Sequence, residues 1–179
     1  LVGSEMCIRD SPYYITSPVI MLLLESGIPV EAITVMVQKE AAQRLCAKVG
    51  TRQAGAVTAA VQFYGKAELL FEVSRGSFMP SPNVDSAVIR IKPDKYYRSM
   101  VDDKDLFFKV VRGAFSQRRK TMVNSLSSVL GVPKSLLSEC LEFCGIEKNI
   151  RAEQLSMEEL ILFANRLKNV ILSLIHISE

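Results

Sequence analysis

Residues 32–37 read AITVMV and residues 38–48 read QKEAAQRLCAK, so an apolar run of strand length passes directly into a helical pattern. The first run is rich in β-branched side chains, which is typical of a strand in a sheet covered on both faces. Residues 39–48 then place their apolar side chains on one side of a helix, which Gly50 is expected to end. A strand followed at once by a helix predicts an α/β fold for this part of the chain.

The sequence on either side predicts further helices and strands. Ser17-Pro18 matches an N-cap followed by proline at the first helical position, so residues 18–26 are expected to form a buried helix that ends before Gly27. A second helix is predicted at residues 55–64, closed by Gly65, and strands at residues 68–73 and 86–92. The two strands and the loop between them are expected to form an antiparallel pair, and Asp85 can bond within that loop.

The second half of the sequence predicts helices only. Residues 94–104 are polar and read as a linker. Beyond them an apolar stripe with helical spacing comprises Phe107, Val110, Val111, Ala114 and Phe115. Gly131 and Gly145 are expected to end helices, and Ser156 with Glu159 forms a capping box before a last helix. This part is predicted to be a small helical bundle.

Both ends differ from the rest of the chain. Residues 1–11 have neither helical nor strand periodicity, and residues 171–179 follow a predicted helix that is already complete. Both stretches resemble translated sequencing-adaptor peptides, so we expect them to be non-native. Ordinary frayed termini are the alternative. The expected organisation is therefore two non-native ends, 1–11 and 171–179, around an α/β part, 12–97, and a helical part, 98–170.

Composition and charge limit the class of protein. The chain has 179 residues, of which 49% are hydrophobic and 23% charged, as in a soluble globular protein. No segment is long and apolar enough to cross a membrane and no secretory signal is apparent, so a cytoplasmic location is expected. Cys140 and Cys144 lie one helical turn apart without a second pair of ligands, so we expect core cysteines in a reducing compartment and no metal.

The net charge is only +3, but the chain contains a basic segment. Residues 106–138 contain no Asp or Glu, and the cations in this range are Lys109, Arg112, Arg118, Arg119, Lys120 and Lys134. Such a segment in a nearly balanced chain points to a polyanion as partner. A solvated helix face is the ordinary interpretation of a run of charges and stays open.

Five stretches together resemble a known family. In chain order they read PYYITSP at 12–18, VQKEAAQRL at 37–45, SFMPSPNVDSAV at 77–88, FSQRRKT at 115–121 and RAEQLS at 151–156. This order resembles the ribosomal RNA adenine dimethyltransferases, specifically the branch that acts on the small-subunit (16S) RNA. The resemblance covers almost all of residues 12–167. It implies the C-terminal half of a Rossmann-like, S-adenosylmethionine-dependent methyltransferase domain, followed by an all-α domain that positions RNA.

The chemistry of the implied reaction explains the first stretch. The adenine amino nitrogen is a poor nucleophile, so the enzyme must extrude the base, hold its face and accept hydrogen bonds from its N–H groups. A turn of the type (Asp/Asn)-x-Pro-(Tyr/Phe) supplies these acceptors and an aromatic face, and here it would be Asp10-Ser11-Pro12-Tyr13. Stacking on an aromatic ring is worth roughly 1–3 kcal/mol per base. On its own, a Pro-Tyr pair would be interpreted as packing.

The resemblance assigns roles to individual residues. Tyr13 would stack on the extruded adenine, with Phe78 over its other side, while Pro12 supplies the turn and Tyr14 supports it. Asp10 stands where the family has asparagine, and Ser11 replaces leucine, so the catalytic and cofactor-edge role of Asp10 depends on whether residues 1–11 are native. The predicted RNA-binding residues are Tyr14, Arg112, Arg118, Arg119 and Lys120.

The cofactor site is expected to lie mostly outside this chain. S-adenosylmethionine binding in such folds needs a glycine-rich first turn, and no two glycines here stand two residues apart. Only the edge of the cofactor site, at Asp10 and Pro12, would lie in this chain. We therefore expect the chain alone neither to bind the cofactor measurably nor to methylate RNA. The implied partner is small-subunit ribosomal RNA in the pre-30S particle, and a monomer is expected.

Three alternatives remain at this point. The first is the antibiotic-resistance branch that methylates large-subunit RNA, against which the motifs at 117–121 and 151–156 argue. The second is a non-catalytic nucleic-acid-binding factor on the same fold, against which retention of Pro12, Tyr13 and Phe78 argues. The third is an unrelated α/β domain whose basic helix binds nothing.

Overall fold

The structure is a computed structural model that describes residues 16–177, with side chains from 17 to 173. The helices in chain order are α1 Thr16–Glu25, α2 Lys39–Leu45, α3 Ala56–Tyr64, α4 Lys104–Phe115, α5 Met122–Leu130, α6 Lys134–Phe143 and α7 Met157–Ile177. The strands are β1 Ile33–Gln38, β2 Gly65–Val73 and β3 Ser86–Pro93. Short 3-10 turns lie at Arg75–Ser77, Tyr97–Met100 and Ala152–Gln154. Among the described residues, no helix is both long and apolar enough to cross a membrane.

The three strands form one antiparallel sheet in the order β1-β3-β2. Ile89 in the central strand lies opposite Val35 of β1 and Leu69 of β2. Along β3, Ala87, Ile89 and Ile91 are fully buried, while the residues that alternate with them are more exposed. Because α2 and α3 pack against the sheet, the buried residues mark the face that these helices cover.

The opposite face of the sheet carries an apolar row. Met36 and Phe71 both lie opposite Val88, one from each outer strand. Met36 is 39% exposed and Phe71 is 55% exposed, so the described residues leave this face largely open. The register shifts between Leu69 and Phe71, which is a β-bulge and leaves Leu70 exposed as well.

The core runs without a break from the sheet into the helices. Phe63 of α3 stacks on Phe107 of α4 at a centroid distance of 5.2 Å and an interplanar angle of 24°. Phe108 meets the same Phe63 ring edge-on at 5.0 Å. One cluster of buried side chains includes residues on both sides of position 97. The division at 97/98 therefore stays a prediction about domains, since the packing is continuous across it.

The linker between β3 and α4 is hydrogen-bonded to the last helix, α7. The Asn165 side chain donates to the Met100 carbonyl oxygen at 2.8 Å and accepts from the Asp102 N–H at 3.0 Å. The hydroxyl of Tyr97 donates to Glu158 at 3.0 Å. Because an amide that binds both a carbonyl and an N–H satisfies two backbone groups at once, Asn165 holds the linker against α7.

Most predicted elements are confirmed, with shifted ends. The capping box before α7 is present, since the Ser156 N–H donates to Glu159 at 2.8 Å and the Glu159 N–H donates to the Ser156 hydroxyl. Gly131 ends α5 at φ 67° and Gly145 follows α6 at φ 72°, a left-handed conformation that favours glycine.

Several boundaries differ from prediction. Helix α1 begins at Thr16, so Ser17 lies inside the helix rather than at its N-cap. The expectation that this helix is buried is wrong for part of its surface, since Leu22 is 68% exposed. Helix α2 ends at Leu45 rather than near Gly50, with Cys46 as its C-cap. Strand β2 begins at Gly65, earlier than expected, because its first residues pair with the end of β3. Helix α7 continues to Ile177, so the expectation of a finished helix before residue 171 is wrong. The segment 171–177 contains neither glycine nor proline, so no residue there stops the helix.

Candidate functional site

The predicted site residues are divided between two parts of the chain. Asp10, Pro12, Tyr13 and Tyr14 lie outside the described residues, so the predicted base-holding turn has no geometry here. The remaining candidates are Phe78, Arg112, Arg118, Arg119 and Lys120, all with described positions. Of these, Phe78 lies on the loop after β2, and the four cations lie on α4 or in the turn that follows it.

Phe78 is half-buried and sits directly after a 3-10 turn. Its N–H donates to the Arg75 carbonyl oxygen at 3.3 Å. Ser74 caps the turn, since its hydroxyl accepts from the Gly76 N–H at 3.3 Å. Met79 beside it is 88% exposed. A half-exposed ring on a short hydrogen-bonded turn is suited to contact with a flat apolar ligand.

The ends of this loop are bonded to each other. The carboxylate of Asp85 accepts from the Arg75 N–H at 2.9 Å, which confirms that Asp85 bonds within its own loop. Lys39, at the start of α2, donates its N–H to the Asp85 carbonyl oxygen at 3.0 Å, and its ammonium lies 2.7 Å from Glu72. The hydrogen bond to Glu72, together with the charge of that carboxylate, raises the pKa of Lys39. The loop is thus held at the edge of the sheet.

The turn after α4 reaches back to the α/β part. One guanidinium nitrogen of Arg118 donates to the Arg52 carbonyl oxygen at 2.9 Å and to the Ala54 carbonyl oxygen at 2.8 Å. These two carbonyls belong to the loop before α3. Thr121 then begins α5 as its N-cap. Part of the hydrogen-bonding capacity of Arg118 is therefore used within the protein, while its remaining N–H donors stay available for a ligand.

An open groove lies beside this contact. Its volume is about 350 Å³, and its lining comprises Arg44, Gln53, Ala54, Gly55, Ala56, Val57, Arg112, Phe115, Ser116 and Arg118. The lining contains three arginines and no carboxylate, together with the apolar residues Ala54, Ala56, Val57 and Phe115. Arg44 also pairs with Glu40 at 2.7 Å on the same helix. A lining that combines cations with apolar side chains is suited to a ligand that combines anionic groups with flat rings, as RNA does.

The other predicted cations continue this basic surface. Arg119 and Lys120 are exposed, and their side chains make no hydrogen bond or ion pair to a group between residues 16 and 177. Arg112 is also exposed and lines the groove. Their ammonium and guanidinium groups are therefore available to an anion from solution.

Sequence reasoning missed the part that Arg44 plays in the groove. It lies in the stretch 37–45 that supports the family resemblance, yet it received no role. Its spacing of four residues from Glu40 indicated only an ion pair on a helix surface. The loop at residues 53–57 gave no signal either, since its small side chains read as a turn before a helix.

A nucleotide-like cofactor needs a glycine-rich turn between a strand and a helix, and a metal ion needs a cluster of ligating side chains. The described junction of strand and helix at Gln38 and Lys39 has no intervening loop and no glycine, so it provides no cradle for a nucleotide-like cofactor. Between residues 16 and 177, no group of three or more His, Cys, Asp or Glu side chains could hold a metal ion. These residues thus do not fit an S-adenosylmethionine site.

Comparisons with known proteins identify the family of the chain. The profile of the family described as ribosomal RNA adenine dimethylase matches residues 5–169. A ribosomal RNA small subunit methyltransferase A from Geobacillus thermodenitrificans (strain NG80-2) is 43% identical over 169 residues, covering 93% of this chain and 58% of that protein. The protein of the same name from Bacillus cereus (strain B4264) is 44% identical over 165 residues, covering 90% of this chain and 56% of the relative.

Solved structures show the same fold. A dimethyladenosine transferase from Plasmodium falciparum superposes with a TM-score of 0.72 at 26% identity, over 86% of this chain and 63% of that one. The 23S rRNA methyltransferase ErmE superposes with a TM-score of 0.60 at 21% identity, over 88% of this chain and 63% of that one, and shows likeness of fold alone. The chain spans somewhat more than half the length of the curated relatives it matches. With a family profile matched along residues 5–169, the chain belongs to the ribosomal RNA adenine dimethylase family.

Proposed function

We propose that this chain is the RNA- and base-binding part of an S-adenosylmethionine-dependent methyltransferase that dimethylates N6 of adjacent adenines in small-subunit ribosomal RNA. The observation that carries the proposal is the open groove lined by Arg44, Arg112 and Arg118 and by no carboxylate. Arg119 and Lys120, which follow the groove residue Arg118 in sequence, are exposed and add two further cations for an RNA strand to contact.

In this proposal the base is held between two aromatic rings. Phe78 covers one face of the extruded adenine, and its half-exposed place after a hydrogen-bonded turn supports that role. Tyr13 stacks on the other face, Pro12 shapes the turn, and Tyr14 supports it and contacts RNA. Asp10 or the residue native to that position accepts from the adenine N–H groups, which turns the nitrogen lone pair toward the methyl donor.

The methyl donor belongs to the remainder of the enzyme. S-adenosylmethionine, which the family uses, supplies an electrophilic methyl group when bound. Since the described residues do not fit its site, we assign most of that site to the part of the relatives that this chain does not span, with Asp10 and Pro12 at its edge. The proposed setting is a cytoplasmic monomer that acts on the pre-30S particle during ribosome assembly.

RNA binding at varied salt concentration tests the proposal. The 179-residue chain is titrated with a small-subunit ribosomal RNA hairpin, and log K is plotted against log salt concentration. A variant with Arg119→Ala and Lys120→Ala should lower the slope by about 1.4–1.8, because each lost phosphate contact removes about 0.7–0.9. Lys66→Ala is the matched control, since Lys66 is an exposed cation on β2 that does not line the groove.

Two results would overturn the proposal. Equal slopes for the double variant and the Lys66→Ala control would remove the basic segment from the RNA interface. Stronger binding of a large-subunit RNA fragment in competition would favour the large-subunit enzymes instead.

A further inference from the structure

We propose that Asp85 is a positioning residue that holds the Phe78 ring in place for its contact with the base. This inference rests on the proposed function of Phe78. Asp85 is connected to Phe78 through the backbone of Arg75, and the sequence alone does not indicate this connection. Two hydrogen bonds in series connect the carboxylate to the aromatic residue.

The first bond closes the loop across ten residues. The Asp85 carboxylate accepts from the Arg75 N–H at 2.9 Å, and Arg75 is the first residue of the 3-10 turn. The Arg75 carbonyl oxygen then accepts from the Phe78 N–H at 3.3 Å. The carboxylate therefore sets where the turn begins, and the turn sets where Phe78 leaves it.

Arg75 makes two further hydrogen bonds within the loop, which make the turn a single unit. The Ser81 hydroxyl donates to the Arg75 carbonyl oxygen at 2.9 Å. The Arg75 guanidinium donates to the Asn83 carbonyl oxygen at 3.3 Å. Because these bonds lie inside the loop, they keep its shape but do not attach it to the rest of the protein.

Asp85 supplies the attachment. It directly precedes β3, and its carbonyl oxygen accepts from the Lys39 N–H at 3.0 Å, at the start of α2. Its neighbour Ser86 is only 1% exposed and pairs with β1 and β2. Asp85 thus joins the start of β3 to the 3-10 turn. Its own side chain is exposed, so the core does not need a carboxylate there.

The test uses three variants of the 179-residue chain. Asp85→Ala removes the acceptor, while Asp85→Asn keeps a side-chain oxygen that can accept from the same N–H. Asp94→Ala is the matched control, because Asp94 is also exposed and its carboxylate also accepts from a backbone N–H, that of Tyr96 at 3.0 Å.

The first measurement is amide exchange by NMR without RNA. Asp85→Ala should speed exchange at the Arg75 amide by roughly fivefold or more, as loss of one hydrogen bond to a charged acceptor implies. Exchange at Phe78 should rise as well. Asp85→Asn should restore most of the protection, and Asp94→Ala should leave both amides unchanged. Unchanged exchange in Asp85→Ala would overturn the proposal.

The second measurement separates positioning from RNA affinity. A hairpin RNA carries 2-aminopurine at the target adenine, and its fluorescence change at saturation reports stacking of the extruded base. Asp85→Ala should reduce that change by about half or more while the Kd stays within about twofold, because the basic segment is intact. Full retention of the fluorescence change in Asp85→Ala would overturn the inference.

The variant Phe78→Ala separates the proposed base contact of Phe78 from the proposed positioning role of Asp85. If Phe78→Ala loses the fluorescence change and Asp85→Ala keeps it, Phe78 contacts the base but Asp85 does not position it. If Phe78→Ala keeps the change, the proposed role of Phe78 fails, and with it the purpose assigned to Asp85. A drop in thermal stability shared by Asp85→Ala and Asp85→Asn, without an exchange difference between them, would also contradict positioning.

Discussion

Replacing Arg118 by alanine removes the guanidinium that joins the turn after α4 to the loop before α3. In the folded chain it donates to the carbonyl oxygens of Arg52 and Ala54 at 2.9 and 2.8 Å. A hydrogen bond from a charged donor contributes about 1.5–3 kcal/mol net when it is buried. Arg118 is exposed and water can replace part of both bonds, so we expect a total loss of about 1–2 kcal/mol.

The neighbouring Arg119 provides the control for this loss. It is exposed like Arg118, but its side chain makes no hydrogen bond to residues 16–177, so Arg119→Ala should change stability by less than about 0.5 kcal/mol. For a chain of this size, the Arg118→Ala loss corresponds to a fall in Tm of about 2–8 °C. Thermal unfolding followed by circular dichroism measures both. Equal Tm values for the two variants would refute the reasoning, because the carbonyl contacts would then contribute nothing.

Further predictions concern the core, the sheet and the response to pH. Phe107→Ala should destabilise the chain by about 3–5 kcal/mol in urea, since the ring is fully buried, whereas Leu162→Ala at an exposed position should cost less than about 0.5 kcal/mol. Gly65→Ala should cost about 1–3 kcal/mol or more by the same assay, because the added methyl group would overlap the Lys92 carbonyl oxygen. Burial raises the pKa of Tyr97 from 10.0 to about 12, so the unfolded chain releases this proton first and stability should fall between about pH 10 and pH 12. Tyr97→Phe should remove that fall, and an unchanged pH profile in this variant would contradict the assignment.

Local patterns in the sequence predicted most of the elements because their causes are local. The apolar stripe at Phe107, Val110, Val111 and Ala114 is buried in α4 as its helical spacing requires. The capping box at Ser156 needs only residues within one turn.

The features that sequence reasoning missed are those that depend on contacts between residues far apart in the chain. The bonds from Arg118 reach residues more than sixty positions away, and no periodicity encodes them. The pairing of β1 with β3 likewise joins segments separated by two helices and a strand. The groove combines Arg44 with Arg112, and neither residue alone indicates a cavity. Such features depend on the packed arrangement and appear only once the elements are placed together.

The stacking of Phe63 on Phe107 determines whether this protein can be divided into two fragments that fold separately. A cut at residue 97 would separate the stacked rings of Phe63 and Phe107 and expose apolar surface of the shared core on each piece. Each fragment would then tend to aggregate rather than fold. Heating the intact chain should accordingly produce one cooperative transition, in which sheet and helices are lost together.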